Sequence, residues 1–83
     1  MPQIRAANRP PDSYTVDLLD RGIPGIAKKV GEEAVEVVVA ATAEDDRRLA
    51  SETADLLYHL LVLLTARGLP PDAVWQELQT RLR

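Results

Sequence analysis

The chain has 83 residues, a formal net charge of −3 and no cysteine, which allows one small domain without disulfides or thiolate metal sites. Its acidic balance argues against a nucleic-acid binder, which usually has a basic surplus on one face. With one Trp, two Tyr and no Phe, it also has too few aromatic residues for a base-stacking platform.

The N-terminal residues 1–12 are polar and include Pro10 and Pro11, so an extended segment is predicted there. They contain no apolar run resembling a signal peptide. The longest apolar run, residues 60–64, is far shorter than the roughly 20 residues that cross a bilayer. We therefore expect a cytoplasmic protein that does not bind membranes, with a single domain over residues 13–83.

The first two helices are predicted from their caps and periodicity. Ser13 is a good N-cap for the first helix, and Gly22 is suited to close it. The second helix is predicted from Pro24 to about Thr42. Apolar residues recur there at three- and four-residue steps, which marks its core face: Ile26, Val30, Ala34, Val37 and Ala41.

The third helix is predicted to begin after Asp45 or Asp46 and to be closed by Gly68. Its second half, LLYHLLVLL, is apolar nearly all round, which is typical of a helix surrounded by other helices. After two prolines, Asp72 can cap a fourth helix whose apolar residues are Val74, Trp75, Leu78 and Leu82. No strand pattern is found, so the predicted fold class is all-α, a four-helix bundle.

An acidic strip borders the core face of the second helix. At about 100° per residue, Glu33 and Glu36 lie along this border with Lys29 beside them. Glu32 lies further round the helix, near Lys28. The strip places negative charge beside the predicted core, where a purely structural helix would not need it.

The third helix repeats this arrangement, because Glu52 and Asp55 lie beside its leucine face together with Arg48 and His59. A short polar turn joins the two helices, so they should pack antiparallel. If the two borders meet, the carboxylates of both helices converge.

Converging carboxylates repel each other strongly unless cations are bound. A site that offers only oxygen ligands favours Mg²⁺ or Mn²⁺, and Mg²⁺ often completes its shell with substrate phosphates. A phosphate-ester substrate is therefore indicated. The alternative is that both acidic pairs are solvated surface charges, as glutamates mostly are, but their position beside apolar faces lowers the weight of this interpretation.

Two further features keep alternatives open. Lys28 and Lys29 can be (i, i+4) ion-pair partners of Glu32 and Glu33, or they can bind phosphates. His59 can be a metal ligand, although a hydrogen-bonded histidine at the edge of the core is favoured. The chain has no Glu-x-x-His motif, which disfavours a di-iron centre.

The motifs EEAVE at residues 32–36 and ETAD at residues 52–55 resemble the EExxE and ExxD signature of the all-α nucleoside triphosphate pyrophosphohydrolases, the MazG-like superfamily. Within it, SYTVDLLDRGIPGIAKKVGEEAVEVVVAA and ADLLYHLLVLLTARGL resemble phosphoribosyl-ATP pyrophosphohydrolases, over about residues 13–80. The resemblance implies a stand-alone, Mg²⁺-dependent enzyme. It would hydrolyse phosphoribosyl-ATP to phosphoribosyl-AMP and pyrophosphate, the second step of L-histidine biosynthesis.

The resemblance also implies roles for individual residues. The metal ligands would be the last two glutamates of EExxE and both acids of ExxD, which are Glu33, Glu36, Glu52 and Asp55. A mechanism then follows from the charges. Glu36 or Glu33 would orient or deprotonate the attacking water, and Lys29, Lys28 or Arg48 would neutralise the departing phosphates. Glu32 and His59 would contact water or the metal ligands rather than the ion.

A chain this short has a marginal core, and Val35 and Val39 lie away from the predicted core face of the second helix. We therefore predict a homodimer or higher homo-oligomer that completes the helical bundle. Two other functions remain open. One is a house-cleaning pyrophosphohydrolase of the same superfamily, acting on noncanonical nucleotides or dUTP. The other is a helical dimerisation module without catalysis.

Overall fold

The computed structural model describes residues 11–82. These residues form four helices and no strand, which confirms the predicted all-α class. The helices are α1 (Pro11–Asp20), α2 (Gly22–Ala43), α3 (Asp46–Ala66) and α4 (Pro71–Arg81).

The start of α1 differs from the prediction. The helix begins at Pro11, so Ser13 lies inside it and is not the N-cap. Proline is favoured at the first helical position, where its missing N–H would have no helical partner anyway. The rest of the predicted extended segment, residues 1–10, lies outside the described residues.

The ends of α3 follow the prediction, whereas the cap of α4 does not. Asp45 is the N-cap of α3, and its side chain accepts a hydrogen bond of 2.9 Å from the Arg48 backbone N–H. Gly68 follows α3 with a φ of +73°, a conformation that favours glycine. At α4 the cap residue is Pro70, and Asp72 lies in the first turn, where its charge complements the helix dipole.

The junction between α1 and α2 is tight and depends on two glycines. Gly22 has a φ of +78°, which turns the chain directly from one helix into the next. At Gly25, an added Cβ would lie 2.9 Å from the Cβ of Arg21, the residue between the two helices, so a side chain there would force Arg21 to shift. The two glycines therefore allow the close junction between α1 and α2.

The core is small and is built by the first three helices. α2 and α3 lie along each other, and α1 packs against both. Leu18, Ile26 and Val62 form the buried cluster, with Tyr58, Leu63 and Ala66 packed against it. α4 contributes no buried residue.

The buried sides of α2 and α3 are rotated towards the acidic strips. On α3 the buried residues are Glu52, His59 and Val62. Leu56 and Leu60, which belong to the leucine face that the sequence predicts to be the core side of this helix, are only half-buried. On α2, similarly, Ala40 is buried and Ala41 is exposed. The observed buried faces differ from the predicted ones because an apolar stripe indicates that one face of a helix is buried. It does not indicate which neighbouring helix packs against that face. One residue of each acidic strip, Glu33 and Glu52, thus lies in the seam between α2 and α3, whereas Glu36 and Asp55 are exposed.

Apolar side chains remain on the outer faces of the helices. Val35 and Val39 are 61% and 43% exposed, on the side predicted to face away from the core. Other exposed apolar side chains lie on every helix, including Val16, Val38, Leu57, Leu61, Trp75 and Leu78. By length and composition alone α3 could span a membrane, but the core helix of a soluble protein passes the same test.

Two glycine substitutions should have opposite effects on stability. Gly31 lies inside α2 with nothing within 4 Å of an added Cβ, so Gly31→Ala should raise the free energy of unfolding by about 0.4–1 kcal/mol. Gly68 has equal space but a φ of +73°, so Gly68→Ala should lower it by about 1–2 kcal/mol. Urea denaturation at one fixed protein concentration measures both, and a gain for Gly68→Ala would contradict the assigned backbone conformation.

Candidate active site

Three of the predicted acidic residues come together across the seam between α2 and α3. Glu33 of α2 and Glu52 and Asp55 of α3 each offer a carboxylate oxygen, and these oxygens lie within 4.8 Å of one another. We refer to these three residues as the acidic cluster. It forms because Glu52 and Asp55 are three residues apart and so share one side of α3, opposite Glu33.

Two of these carboxylates are withdrawn from solvent and paired with cations. The side chains of Glu33 and Glu52 are 12% and 10% exposed. Lys29 lies 3.4 Å from Glu33, and Arg48 donates a hydrogen bond of 2.8 Å to Glu52. Both cations are one helical turn before their partners, which keeps the acidic cluster folded despite the repulsion among its carboxylates.

The chemistry of the acidic cluster fits a hard divalent cation. All three donors are carboxylate oxygens, which suit Mg²⁺ and Mn²⁺ better than softer metals. Asp55 is exposed, so the cluster is open to solvent on one side. Such an open side is where substrate phosphates and water could complete a coordination shell.

The remaining predicted site residues lie around this cluster. Glu36, the fourth predicted ligand, is exposed and is not part of the group of converging oxygens. It lies one turn after Glu33 and further from the buried side of α2. Glu32 and Lys28 are also exposed, whereas Lys29 is half-buried beside the acidic cluster.

His59 is a buried histidine whose ring is held at both nitrogens. Its side chain lies in the seam, and Nδ1 is 2.6 Å from the backbone carbonyl oxygen of Asp55. Because a carbonyl can only accept, Nδ1 carries the proton. In the neutral ring Nε2 is then an acceptor, and the Tyr14 hydroxyl donates to it at 2.8 Å. This matches the expected hydrogen-bonded histidine.

The sequence interpretation did not single out Tyr14, which packs beside the site. Its ring is edge-on to His59 and stacked with Tyr58 at 6.0 Å. Burial raises the pKa of Tyr14, and the neighbouring Lys29 charge partly opposes this, while Glu33 adds to it. The only sequence signal for Tyr14 was the SYT motif within the segment of family resemblance.

Comparison with known proteins assigns the chain to a family. Residues 3–82 match the family described as phosphoribosyl-ATP pyrophosphohydrolase, which is nearly the whole chain. The chain belongs to this family. Members of the phosphoribosyl-ATP pyrophosphohydrolase family are hydrolases. The family resemblance inferred from the two longer stretches, SYTVDLLDRGIPGIAKKVGEEAVEVVVAA and ADLLYHLLVLLTARGL, is thereby confirmed.

Curated relatives in the phosphoribosyl-ATP pyrophosphohydrolase family carry a consistent name. A phosphoribosyl-ATP pyrophosphatase of Trichlorobacter lovleyi is 58% identical over 77 residues, 93% of this chain and 71% of the relative. One of Sulfurisphaera tokodaii is 51% identical over 79 residues, covering 95% and 84% of the two chains. One of Saccharolobus islandicus is 49% identical, covering 93% and 82%.

Proposed function

We propose that the chain hydrolyses phosphoribosyl-ATP to phosphoribosyl-AMP and pyrophosphate, the second step of L-histidine biosynthesis, in the cytoplasm. The observation that supports this most is the convergence of three carboxylates within 4.8 Å in a chain of this family. A small nucleotide, rather than a nucleic acid or a membrane, is the proposed partner of this site.

The proposed metal is Mg²⁺, with Mn²⁺ as a substitute, and its proposed ligands are Glu33, Glu52, Asp55 and Glu36. The first three already converge, and Glu36 would approach from the exposed side. When bound, the ion would offset phosphate charge and lower the pKa of the attacking water. Glu32 is proposed to contact the site through water.

Side chains of the protein are proposed to activate the water and to neutralise the leaving pyrophosphate. Glu36, exposed at the rim of the acidic cluster, is the proposed residue that orients the water or accepts its proton, and Glu33 is the alternative. The water attacks the α-phosphorus and pyrophosphate leaves. Lys29 and Arg48, now paired with carboxylates, can exchange these partners for phosphate oxygens of the leaving group.

The decisive experiment measures pyrophosphate release from phosphoribosyl-ATP and from a panel of triphosphates that includes dUTP, each with and without Mg²⁺. We expect phosphoribosyl-ATP to be strongly preferred and the reaction to require the ion. A preference for dUTP or noncanonical nucleotides would instead favour the house-cleaning activity. Hydrolysis of none of them would favour a non-catalytic helical module.

The two neighbouring lysines should differ in their effect on turnover. Lys29→Ala is expected to lower kcat about 100-fold, because Lys29 lies at the acidic cluster 3.4 Å from Glu33. Lys28→Ala removes the same charge from an exposed position and should stay close to wild type. Steady-state kinetics of both variants test this, and a larger loss for Lys28→Ala would reverse the assignment of the phosphate-binding lysine.

We also propose that a second copy of the chain completes the helical bundle, as a homodimer or a higher homo-oligomer. The support is the small core of a single chain and the apolar residues left on its outer faces, such as Val35, Val39, Leu57 and Leu61. A two-fold interface would bury the same patch on both subunits.

A further inference from the structure

A short hydrogen-bonded chain connects α1 to the acidic cluster. The Tyr14 hydroxyl lies 2.8 Å from His59 Nε2, and His59 Nδ1 lies 2.6 Å from the Asp55 carbonyl oxygen. We propose that Tyr14 and His59 are positioning residues, which hold the turn of α3 at Asp55 so that its carboxylate stays aligned with Glu33 and Glu52. This inference rests on the proposed metal site.

The donors and acceptors of these two hydrogen bonds can be assigned because His59 is buried. At 5% exposure its ring nitrogens must find partners within the protein. Nδ1–H donates to the carbonyl of Asp55, which leaves Nε2 to accept from Tyr14. A tyrosine hydroxyl is protonated at neutral pH, and burial raises the pKa of Tyr14 further, so its hydroxyl can donate. The imidazole is therefore held in one tautomer and one orientation.

Charges on α2 also influence Tyr14. The charge of Lys29 lowers the pKa of the Tyr14 hydroxyl, and the charge of Glu33 raises it. Its ring is edge-on to His59 at 5.8 Å and stacked on Tyr58 at 6.0 Å, which restricts its movement. One side chain of α1 thus contacts the α3 residues Tyr58 and His59 next to the acidic cluster.

Positioning of this kind should affect metal binding more than folding. Mg²⁺ requires near-ideal octahedral geometry, so a small displacement of one carboxylate weakens the site. Replacing a residue that forms a hydrogen bond to a metal ligand typically lowers metal affinity or activity about 10–100-fold. A role limited to packing α1 onto α3 would lower thermal stability without a selective loss of metal affinity.

Two tyrosine variants separate these roles. Tyr14→Phe removes the hydroxyl that donates to His59, whereas Tyr58→Phe removes a hydroxyl that bonds to Thr15. Each change deletes one hydrogen bond between α1 and α3 within the same aromatic group. Binding of Mn²⁺, followed by electron paramagnetic resonance, should be about 10-fold weaker in Tyr14→Phe and unchanged in Tyr58→Phe, with comparable decreases in Tm.

Variants of His59 extend the test. In His59→Asn the amide can still donate to the Asp55 carbonyl but cannot reach Tyr14, so its Mn²⁺ affinity should fall between those of wild type and His59→Leu. In all positioning variants kcat at limiting metal should fall while the KM for the nucleotide changes little. Equal Mn²⁺ affinity in Tyr14→Phe and Tyr58→Phe would overturn the inference. Wild-type protein that bound no Mn²⁺ and hydrolysed no phosphoribosyl-ATP would instead overturn the proposed function.

Discussion

Replacing Glu33 or Glu52 by glutamine, or Asp55 by asparagine, is expected to lower the turnover of phosphoribosyl-ATP at least about 100-fold. This lower bound is conservative, because replacing a residue that only supports a metal ligand already lowers metal affinity or activity about 10–100-fold. Each change keeps the shape of the side chain and removes one of the charges that converge within 4.8 Å. Steady-state kinetics at saturating Mg²⁺ give the size of the loss.

A matched control is Glu77→Gln on α4. Glu77, like Glu52, pairs with an arginine four residues away, but it is exposed and lies outside the acidic cluster. Its replacement should leave turnover unchanged. Near-normal activity in two of the three cluster variants would refute the site, whereas equal losses in Glu36→Gln would support the fourth ligand.

The same variants should separate loss of the site from loss of the fold. Far-UV circular dichroism should be unchanged, because neutralising one carboxylate reduces repulsion within the acidic cluster. Mg²⁺ should raise the Tm of the wild-type protein, since a ligand that binds only the native state stabilises it. The cluster variants should lose this Mg²⁺-dependent increase. If the variants were unfolded, their loss of activity would reflect loss of the fold and not loss of metal binding.

A chain carrying both Leu57→Glu and Leu61→Glu is expected to be monomeric, whereas the wild-type protein is expected to sediment as a dimer or larger at micromolar concentration. The two leucines are 52% and 44% exposed on one side of α3. In an isolated subunit such surface changes would usually alter stability by no more than about 0.5 kcal/mol each. At an interface they would bury two unpaired charges.

The control for added negative charge is Gln76→Glu, at an exposed polar position of α4. It should leave both the sedimentation coefficient and the activity unchanged. A wild-type protein that sediments as a folded, active monomer would refute the proposed oligomer. The apolar side of α3 would then have no explanation in the fold.

The sequence predicted the helices well where local chemistry determines them. Asp45 has a side chain that can cap, and Gly68 can adopt a positive φ, so both ends of α3 were predictable. The starts of α1 and α4 were not, because Pro11 and Pro71 each allow a helix to begin on them as well as preventing one from continuing through them.

The candidate site was predictable to the level of residues that share a helical face. The spacing of Glu33 and Glu36 on α2, and of Glu52 and Asp55 on α3, predicted that four carboxylates would converge. The structure brings three of them together, and Glu36 is not among them. The rotation of α2 and α3 about their axes was not predictable, since it depends on packing between helices. That rotation moves Glu33 and Glu52 into the seam and leaves Glu36 exposed.

The two helices that carry the acidic cluster follow each other directly along the chain, joined only by Glu44 and Asp45. Helical proteins dominated by contacts between nearby residues fold within microseconds to milliseconds, because little chain entropy is lost in closing short loops. The hairpin of α2 and α3 is therefore expected to form in the fastest phase of refolding. Docking of α1 and association with a second chain would follow, the latter at a rate that depends on protein concentration.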